Sequence, residues 1–235
     1  MAEGAVTVEE AGDARRTDIP LRQAAYESIE NLLKNGALEP GQIVSQRQLV
    51  KRTGLTLGAI REAVPRLEAE GLLQTVPQRG LMVPSLDIAF VRDAYQLRRV
   101  LEMSAIPAAV ERMTDEAIDE LIRWHRDLRA RVERDPGADG DRVAEEIQRR
   151  DWAMHEGFVA MTGNRLMVNI FRVTTIKIRM AVQSRIRVTH YSAQRVIDEH
   201  LAILEPLKRR DAEAMAAGLT RHIDNSLTIA LGGTV

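Results

Sequence analysis

The chain contains no cysteine. That absence excludes disulfides, thiolate zinc sites and a cysteine nucleophile, and it suits a reducing compartment such as the cytoplasm. No apolar run approaches the roughly 18 residues that mark a membrane-spanning helix, so no membrane partner is expected. An excess of charge of one sign is missing as well: 33 Lys and Arg stand against 34 Asp and Glu, a formal net charge of -1. A chain that merely coats nucleic acid is strongly basic, so any contact with DNA must come from a local patch. The start of the chain, Met1 to Asp13, is acidic and lacks the basic-then-apolar order of a signal peptide. Residues 1–17 read as a disordered tail.

What is present is helical periodicity. The 235 residues suffice for one large domain or two modest ones. A boundary falls near Pro84-Ser85-Leu86-Asp87: segments before it are short and broken by glycine, and those after it are long and amphipathic. Asp135-Pro136-Gly137-Ala138-Asp139-Gly140 reads as a loop between helices.

In the first part, Leu21 to Asn35 places Ala25, Ile29, Leu32 and Leu33 on one helix face. Ser45-Gln46-Arg47-Gln48 is a capping box opening a short second helix. Gly54 sits in the next turn, and Thr56 caps a third helix reaching Gly71. Two strands, 72–76 and 81–83, flank the turn Pro77-Gln78-Arg79-Gly80 and form a hairpin. Two short helices joined by a glycine turn, followed by a hairpin, make a winged helix-turn-helix. Its candidate DNA contacts are Arg47, Lys51, Arg52, Thr56, Arg61, Arg66, Arg79 and Gly80. Arg61, near the start of the third helix, is the candidate for reading a base edge, because a guanidinium bonds guanine in bidentate fashion. Arg79 and Gly80 would approach the backbone or minor groove. A small helical subdomain with an ordinary charged surface remains the alternative.

The residues Gly41-Gln42-Ile43-Val44-Ser45-Gln46-Arg47-Gln48-Leu49, Ile60-Arg61-Glu62-Ala63-Val64-Pro65-Arg66-Leu67-Glu68-Ala69-Glu70-Gly71-Leu72-Leu73 and Gln78-Arg79-Gly80 resemble successive segments of the DNA-binding domain of GntR-type regulators. Two positions depart from that pattern. Thr56-Leu57 stands where the family has Ser-Arg, which removes one arginine expected at the DNA. Pro65 replaces a helix former, and an interior proline costs roughly 3 kcal/mol and should kink the helix or its packing.

The second part reads as six helices, at about 87–112, 115–134, 141–161, 164–188, 192–209 and 211–230, with no strand pattern. Asp151 and His155, at i and i+4, point the same way, beside Ile147, Met154 and Phe158. His200 lies in a stripe with Ile197, Ile203, Leu204 and Leu207, and His222 lies with Leu219, Ile223 and Ser226. Three helices thus bring nitrogen or oxygen ligands to an apolar interior. Three imidazoles and one carboxylate suit a divalent metal ion: zinc, nickel, manganese or iron. A histidine on an apolar face also serves as a hydrogen-bonded core residue. His125, between Leu121 and Leu128, is given no function, and His190 is placed near a helix end.

Asp151 to Asn164, Glu199-His200-Leu201-Ala202-Ile203-Leu204, Arg210-Asp211-Ala212-Glu213-Ala214, Arg221-His222-Ile223 and Tyr95-Gln96-Leu97-Arg98-Arg99-Val100-Leu101-Glu102 resemble the FCD domain, the effector domain of the FadR subfamily of GntR regulators. The resemblance implies metal ligands at Asp151, His155, His200 and His222, zinc foremost. It points to the metal-containing branch, which is similar in sensing small organic acids. Arg98 is the candidate ligand-binding cation by its motif position, with an i,i+4 ion pair to Glu102 as its ordinary role. Arg172 and Arg179 are weaker candidates for that role, read as solvated or at a dimer interface.

The expected fold is therefore mostly α: a winged helix-turn-helix domain over 18–84 and a C-terminal all-α helical bundle, FCD-like, over 85–235. The expected function is that of a homodimeric, cytoplasmic transcriptional regulator, a repressor by expectation, on a pseudo-palindromic double-stranded DNA operator. A small carboxylate effector would complete the metal shell and change the angle between the domains through the linker at Pro84 to Asp87. Two alternatives are a purely structural metal and a metal-dependent hydrolase. Against the hydrolase, the motif region offers no separate general base.

Overall fold

The computed structural model describes residues 20–134, 140–186 and 188–235, without the side chains at 140, 141, 145, 183–186, 190 and 191. The expected tail, the core of the 135–140 loop and the His190 side chain lie outside the described residues. Among those described, helix α1 (Leu21–Lys34) is followed by strand β1 (Ile43–Val44), α2 (Gln46–Thr53), α3 (Leu57–Ala69), β2 (Gln74–Val76) and β3 (Gly80–Met82). Then come α4 (Ile88–Arg112), α5 (Asp115–Arg134), α6 (Gly140–Ala160), α7 (Arg165–Ile186), α8 (His190–Lys208) and α9 (Ala212–Ala230).

The local chemistry of the first unit is what its sequence dictates. The Ser45 hydroxyl accepts from the Gln48 amide at 3.2 Å, and the Gln48 side chain accepts from the Ser45 amide at 2.7 Å, closing the capping box. Gly54 ends α2 in the left-handed region at φ 72°, and Thr56 caps α3 by accepting from Ala59 N–H. Helix α3 continues through Pro65. The proline is exposed, so the Arg61 carbonyl it leaves without an amide partner faces the solvent side, where water can satisfy it.

The sheet has the order β1-β3-β2, all antiparallel, with Ile43 opposite Met82 and Val76 opposite Gly80. Strand β1 is a finding the sequence did not announce, since two residues carry no alternation to read. Gly80 makes it possible: its φ is +119°, and a Cβ there would lie 2.8 Å from the Val44 carbonyl oxygen. That glycine is the condition for β3 to approach β1.

The six later helices bury an apolar core that runs from Val91 and Tyr95 on α4 to Leu219 and Ile223 on α9. Helices α8 and α9 cross closely because Gly218 faces the Ala202 carbonyl, where a Cβ would come within 2.5 Å. Helix α7 belongs to both cores. Its Ile178 and Val182 pack with the C-terminal helices. Its Ile176 and Met180 pack with Ile29, Leu67 and Leu73 of the winged unit. Fully burying each such side chain contributes ~1.5–3 kcal/mol, so the two units share a helix as well as a linker.

Candidate metal centre

Helix α6 carries Asp151 and His155 one turn apart, α8 carries His200, and α9 carries His222. The close crossing of α8 and α9 at Gly218 and Ala202 brings the last two rings together, with centroids 4.9 Å apart. All four predicted ligands meet: one donor atom from each lies within 4.8 Å of the others. The Asp151 Oδ1 is 2.9 Å from His200 Nε2, 3.4 Å from His155 Nε2 and 3.8 Å from His222 Nε2, and the last two nitrogens are 3.2 Å apart. Ligands about 2.1 Å from a tetrahedral metal lie roughly 3.4 Å from one another, which these separations bracket. The three imidazoles are buried, and Asp151 is 12% exposed.

The opposite ring nitrogens decide what the cluster can hold. His155 Nδ1 meets the Glu102 carboxylate at 2.5 Å, and His222 Nδ1 meets the Glu199 carboxylate at 2.8 Å. Each carboxylate accepts the Nδ1 proton, which leaves a lone pair on Nε2. His125 does the same for the third ring. Its Nδ1 lies 2.8 Å from the Leu121 carbonyl, which can only accept, so Nδ1 carries the proton. Its Nε2 is therefore the acceptor for His200 Nδ1, 2.9 Å away. Three Nε2 lone pairs and a carboxylate thus converge on one point.

Such a convergence is repulsive unless a cation sits between the groups. Protons cannot serve all three rings. Burial disfavours protonation of His155, yet the Glu102 carboxylate outweighs it and raises the imidazole above its ordinary range. His222 goes the other way, pushed down to about 4 by burial and by the neighbouring rings, against the hydrogen bond it donates to Glu199. His125 is likewise held at about 4, by burial and by His200. The carboxylates stay ionised. Burial opposes it, but Arg98 and His155 hold Glu102 at about 2, and His222 and Asn225 with Arg195 hold Glu199 at about 2. Asp151, despite burial, is held well below the usual carboxylate range by His155 and His200. A divalent metal fits this donor set.

Sequence reasoning missed the second layer. His125 was given no function, Glu102 only an ion pair, and Glu199 only a place in a motif. The signal for His125 was available: it lies on an apolar face, where a neutral ring needs partners. Arg98 makes the expected pair with Glu102, at 2.5 Å, but its Nη2 is buried with no hydrogen-bond partner among the described residues. The same holds for the Trp152 Nε1.

The candidate DNA residues divide. Arg47, Lys51, Arg52, Thr56, Arg61 and Arg79 are exposed on the winged unit. Arg61 Nε reaches Gln46 at 3.3 Å, tying the third helix to the start of the second. Arg52 bonds the Ala37 carbonyl, Thr56 is occupied in capping and Gly80 in the sheet. Arg66 faces away toward α1, bonding Gln23 at 3.1 Å and Glu70 at 3.2 Å and stacking 3.9 Å over Tyr26. It joins a network that bridges the two units. Arg172 of α7 bonds the Tyr26 hydroxyl at 2.6 Å, Glu30 at 2.7 Å and Glu70 at 3.1 Å. Arg172 is thus neither solvated nor free for an effector. Burial first, then Glu70, raises the Tyr26 phenol above its ordinary value, so it stays a hydrogen-bonding neutral group.

Comparison with known proteins follows the same division of the chain. A family model described as "Bacterial regulatory proteins, gntR family" matches residues 21–83, and one described as "FCD domain" matches residues 93–225. The HTH-type transcriptional regulator YdhC of Bacillus subtilis (strain 168) is 26% identical over 204 residues, 85% of this chain and 86% of that protein. The Nta operon transcriptional regulator of Aminobacter aminovorans is 30% identical over 188 residues, 78% of this chain and 82% of that protein. Among solved structures, E. coli McbR/YncC has the same fold, with a TM-score of 0.77 at 19% identity over 91% of this chain and 98% of that one.

Proposed function

We propose, for a chain that belongs to the bacterial gntR regulatory family and carries its FCD domain, that operator binding is controlled by a small organic acid sensed at the metal centre. Membership itself makes the protein a DNA-binding transcriptional regulator and not an enzyme. Among the described residues no helix is long and apolar enough to cross a membrane. The finer reading rests on one observation: three Nε2 lone pairs and Asp151 converge on one point, and Arg98, which bonds the Glu102 partner of His155, keeps a buried Nη2 without a hydrogen-bond partner among the described residues. The metal, zinc foremost, would act as a Lewis acid that holds a carboxylate. Asp151, His155, His200 and His222 would hold the metal, and Glu102, Glu199 and His125 would fix their rings. Arg98 Nη2 would meet the bound acid.

The protein acts as a homodimer on a pseudo-palindromic operator. Support comes from α4 and α7, which pack together and expose Leu97, Val100, Leu166 and Ile170. An apolar face of that kind suits an isologous contact. Arg61, Arg47, Lys51 and Arg79 would meet the DNA. Arg66 is instead part of the bridge to α7. Communication runs along α7. Arg179 flanks Trp152 next to Asp151, and Arg172, two turns earlier, clamps α1 and α3. A ligand alters DNA affinity only if it binds the two domain arrangements unequally. Release of a repressor is the expected direction.

A purely structural metal is the second reading, favoured by the fact that four protein ligands fill a tetrahedral shell. Metal analysis of the purified chain beside Asp151→Ala and His200→Ala, followed by operator binding with and without carboxylates, separates the two. About one metal per chain, lost in both variants, with operator affinity moved by a carboxylate, supports sensing. Metal present but DNA binding and thermal stability indifferent to every acid leaves the structural role. No metal after loading with zinc, nickel and manganese removes the centre altogether.

A further inference from the structure

The first turn of α3, Leu57 to Ile60, has no polar side chain. Thr56 before it is engaged in the cap, its hydroxyl oxygen accepting from the Ala59 amide at 3.2 Å. Ala59 and Ile60 are buried in the winged core, and Leu55 packs against that core from the preceding turn. Leu57 joins neither set and is partly exposed. Gly58 beside it is exposed, and a Cβ there would meet only Thr56 Oγ1, 4.0 Å away. An aliphatic side chain therefore stands at the open end of the helix with no apolar partner in the core.

Arg61 follows Leu57 by one turn on the same face. Its Nε is tied to Gln46 Oε1 at 3.3 Å. That bond leaves the two Nη groups to point outward together, and such a pair of donors suits O6 and N7 of guanine. Base edges are met by the N-terminal residues of a recognition helix. In the major groove those edges show donors, acceptors and one apolar group, the C5 methyl of thymine. An isobutyl group set against a donor or acceptor strips its water and returns no hydrogen bond. Set against the methyl, it buries apolar surface on both partners.

Resting on the reading of Arg61 as a base-reading residue, we infer that Leu57 is a second specificity-determining residue, which packs on the 5-methyl group of a pyrimidine, thymine in unmodified DNA. The two residues are about 6 Å apart along the helix, and base pairs stack every ~3.4 Å. The methyl-bearing base thus lies within about two base pairs of the guanine met by Arg61.

The test starts by selecting random duplexes with full-length wild type, Leu57→Ala and Arg61→Ala. Affinities are then measured on the wild-type consensus duplex with deoxyuridine replacing each thymine in turn, which removes the methyl and nothing else. The expected consensus has a guanine whose preference relaxes in Arg61→Ala. Beside it stands a thymine whose preference relaxes in Leu57→Ala. Deoxyuridine at that thymine should weaken wild type about fourfold per half-site, the weight of one buried methyl group. It should leave Leu57→Ala unaffected, because the two changes remove the same contact. A 5-methylcytosine–guanine pair at the position should bind more tightly than cytosine–guanine. Wild-type affinity unchanged on every deoxyuridine duplex, or equal weakening of all sequences by Leu57→Ala, overturns the methyl contact and leaves Arg61 in place. A guanine preference that survives Arg61→Ala overturns the reading of Arg61 and the spacing drawn from it. Selection without any sequence preference overturns both.

Discussion

His125 Nε2 lies 2.9 Å from His200 Nδ1, and the Leu121 carbonyl on the far side of the His125 ring fixes which of the two nitrogens gives the proton. The pair is a relay of orientation. A backbone carbonyl sets one tautomer, that tautomer sets the next, and the second imidazole turns a lone pair toward Asp151. Partners at this remove from a metal typically change its affinity 10–100-fold.

His125→Phe keeps an apolar ring against Trp124 but cannot accept from His200. Zinc affinity in a chelator competition should fall by roughly 10–100-fold, with the helical content retained. His200→Ala should lose the metal outright. An unchanged zinc affinity in His125→Phe would show that His200 needs no partner to hold its tautomer.

The same buried rings make the metal-free protein acid-sensitive. An imidazole held at about 4 in the fold and near 6.5 in the unfolded chain takes up its proton sooner when unfolded. Unfolded molecules then bind more protons between those values, so the contribution of these two rings falls as pH drops through the window, whereas that of His155, raised by Glu102, is full below its ordinary value and is lost as pH rises through its folded one. Glu102 and Glu199, held at about 2, work on a lower window: their contribution is present above the usual carboxylate range and disappears as pH falls toward 2. Chelator-treated protein should show a Tm that declines as pH falls from about 6.5 to 4. In His125→Phe the decline should be shallower. A Tm that stays flat across that window contradicts the buried neutral rings.

Gly218→Ala tests how the centre is assembled. The new Cβ would meet the Ala202 carbonyl at 2.5 Å, and backbone cannot step aside as a side chain can. Helices α8 and α9 must part, with His200 on one and His222 on the other. Overpacking of this kind costs ~1–3 kcal/mol, read as a lower Tm, and zinc affinity should drop although no ligand is changed. Wild-type zinc affinity in Gly218→Ala would mean the two rings tolerate a wider crossing.

Much of this was legible in the chain itself. Periodicity in long helices is a strong signal, and the four candidate ligands stood out by lying on apolar stripes with Ile197, Ile203, Leu219 and Ile223. The capping box at Ser45 was readable because its two hydrogen bonds are local. Contacts between distant segments were not. Strand β1 is two residues long and exists only because Gly80 lets another strand approach. Glu102 looked like the partner of Arg98 and Glu199 like a place in a motif, and the structure gives each an arginine besides its histidine. Nothing in the spacing of α7 says that Ile176 and Met180 complete a core some hundred residues earlier in the chain, or that Arg172 is bonded across it.

The recognition surface should separate into reading and holding. Arg61→Ala, on the exposed N-terminal half of α3, should cost ~1–3 kcal/mol on the operator and relax specificity at one base position. Lys51→Ala should weaken all DNA about equally and lower the salt dependence. Arg66→Ala should leave the base preference intact and lower the Tm, because Arg66 is bound to Gln23, Glu70 and the Tyr26 ring. A change of base preference in Arg66→Ala would return that residue to the DNA.

Arg172 carries the remaining prediction. It is 20% exposed, while its partners Glu30 and Glu70 are 6% and 14% exposed. Arg172→Met keeps most of the volume and leaves one buried and one partly buried carboxylate without their shared cation. Removing one partner of a fully buried pair costs ~3–5 kcal/mol. Partial exposure of Arg172 and the remaining cations Lys34 and Arg66 reduce that here to about 1–3 kcal/mol. Zinc content should be unchanged, since the centre is built on α6, α8 and α9. The winged unit, however, would be held to α7 without that clamp, chiefly by Ile176, Met180 and Val173. A single half-site should bind as before, the palindromic operator more weakly, and a carboxylate that moves wild-type DNA affinity should no longer do so. Retention of both full palindrome affinity and the full carboxylate response would show that the signal travels through the Pro84 to Asp87 linker and that the ion network only stiffens the fold.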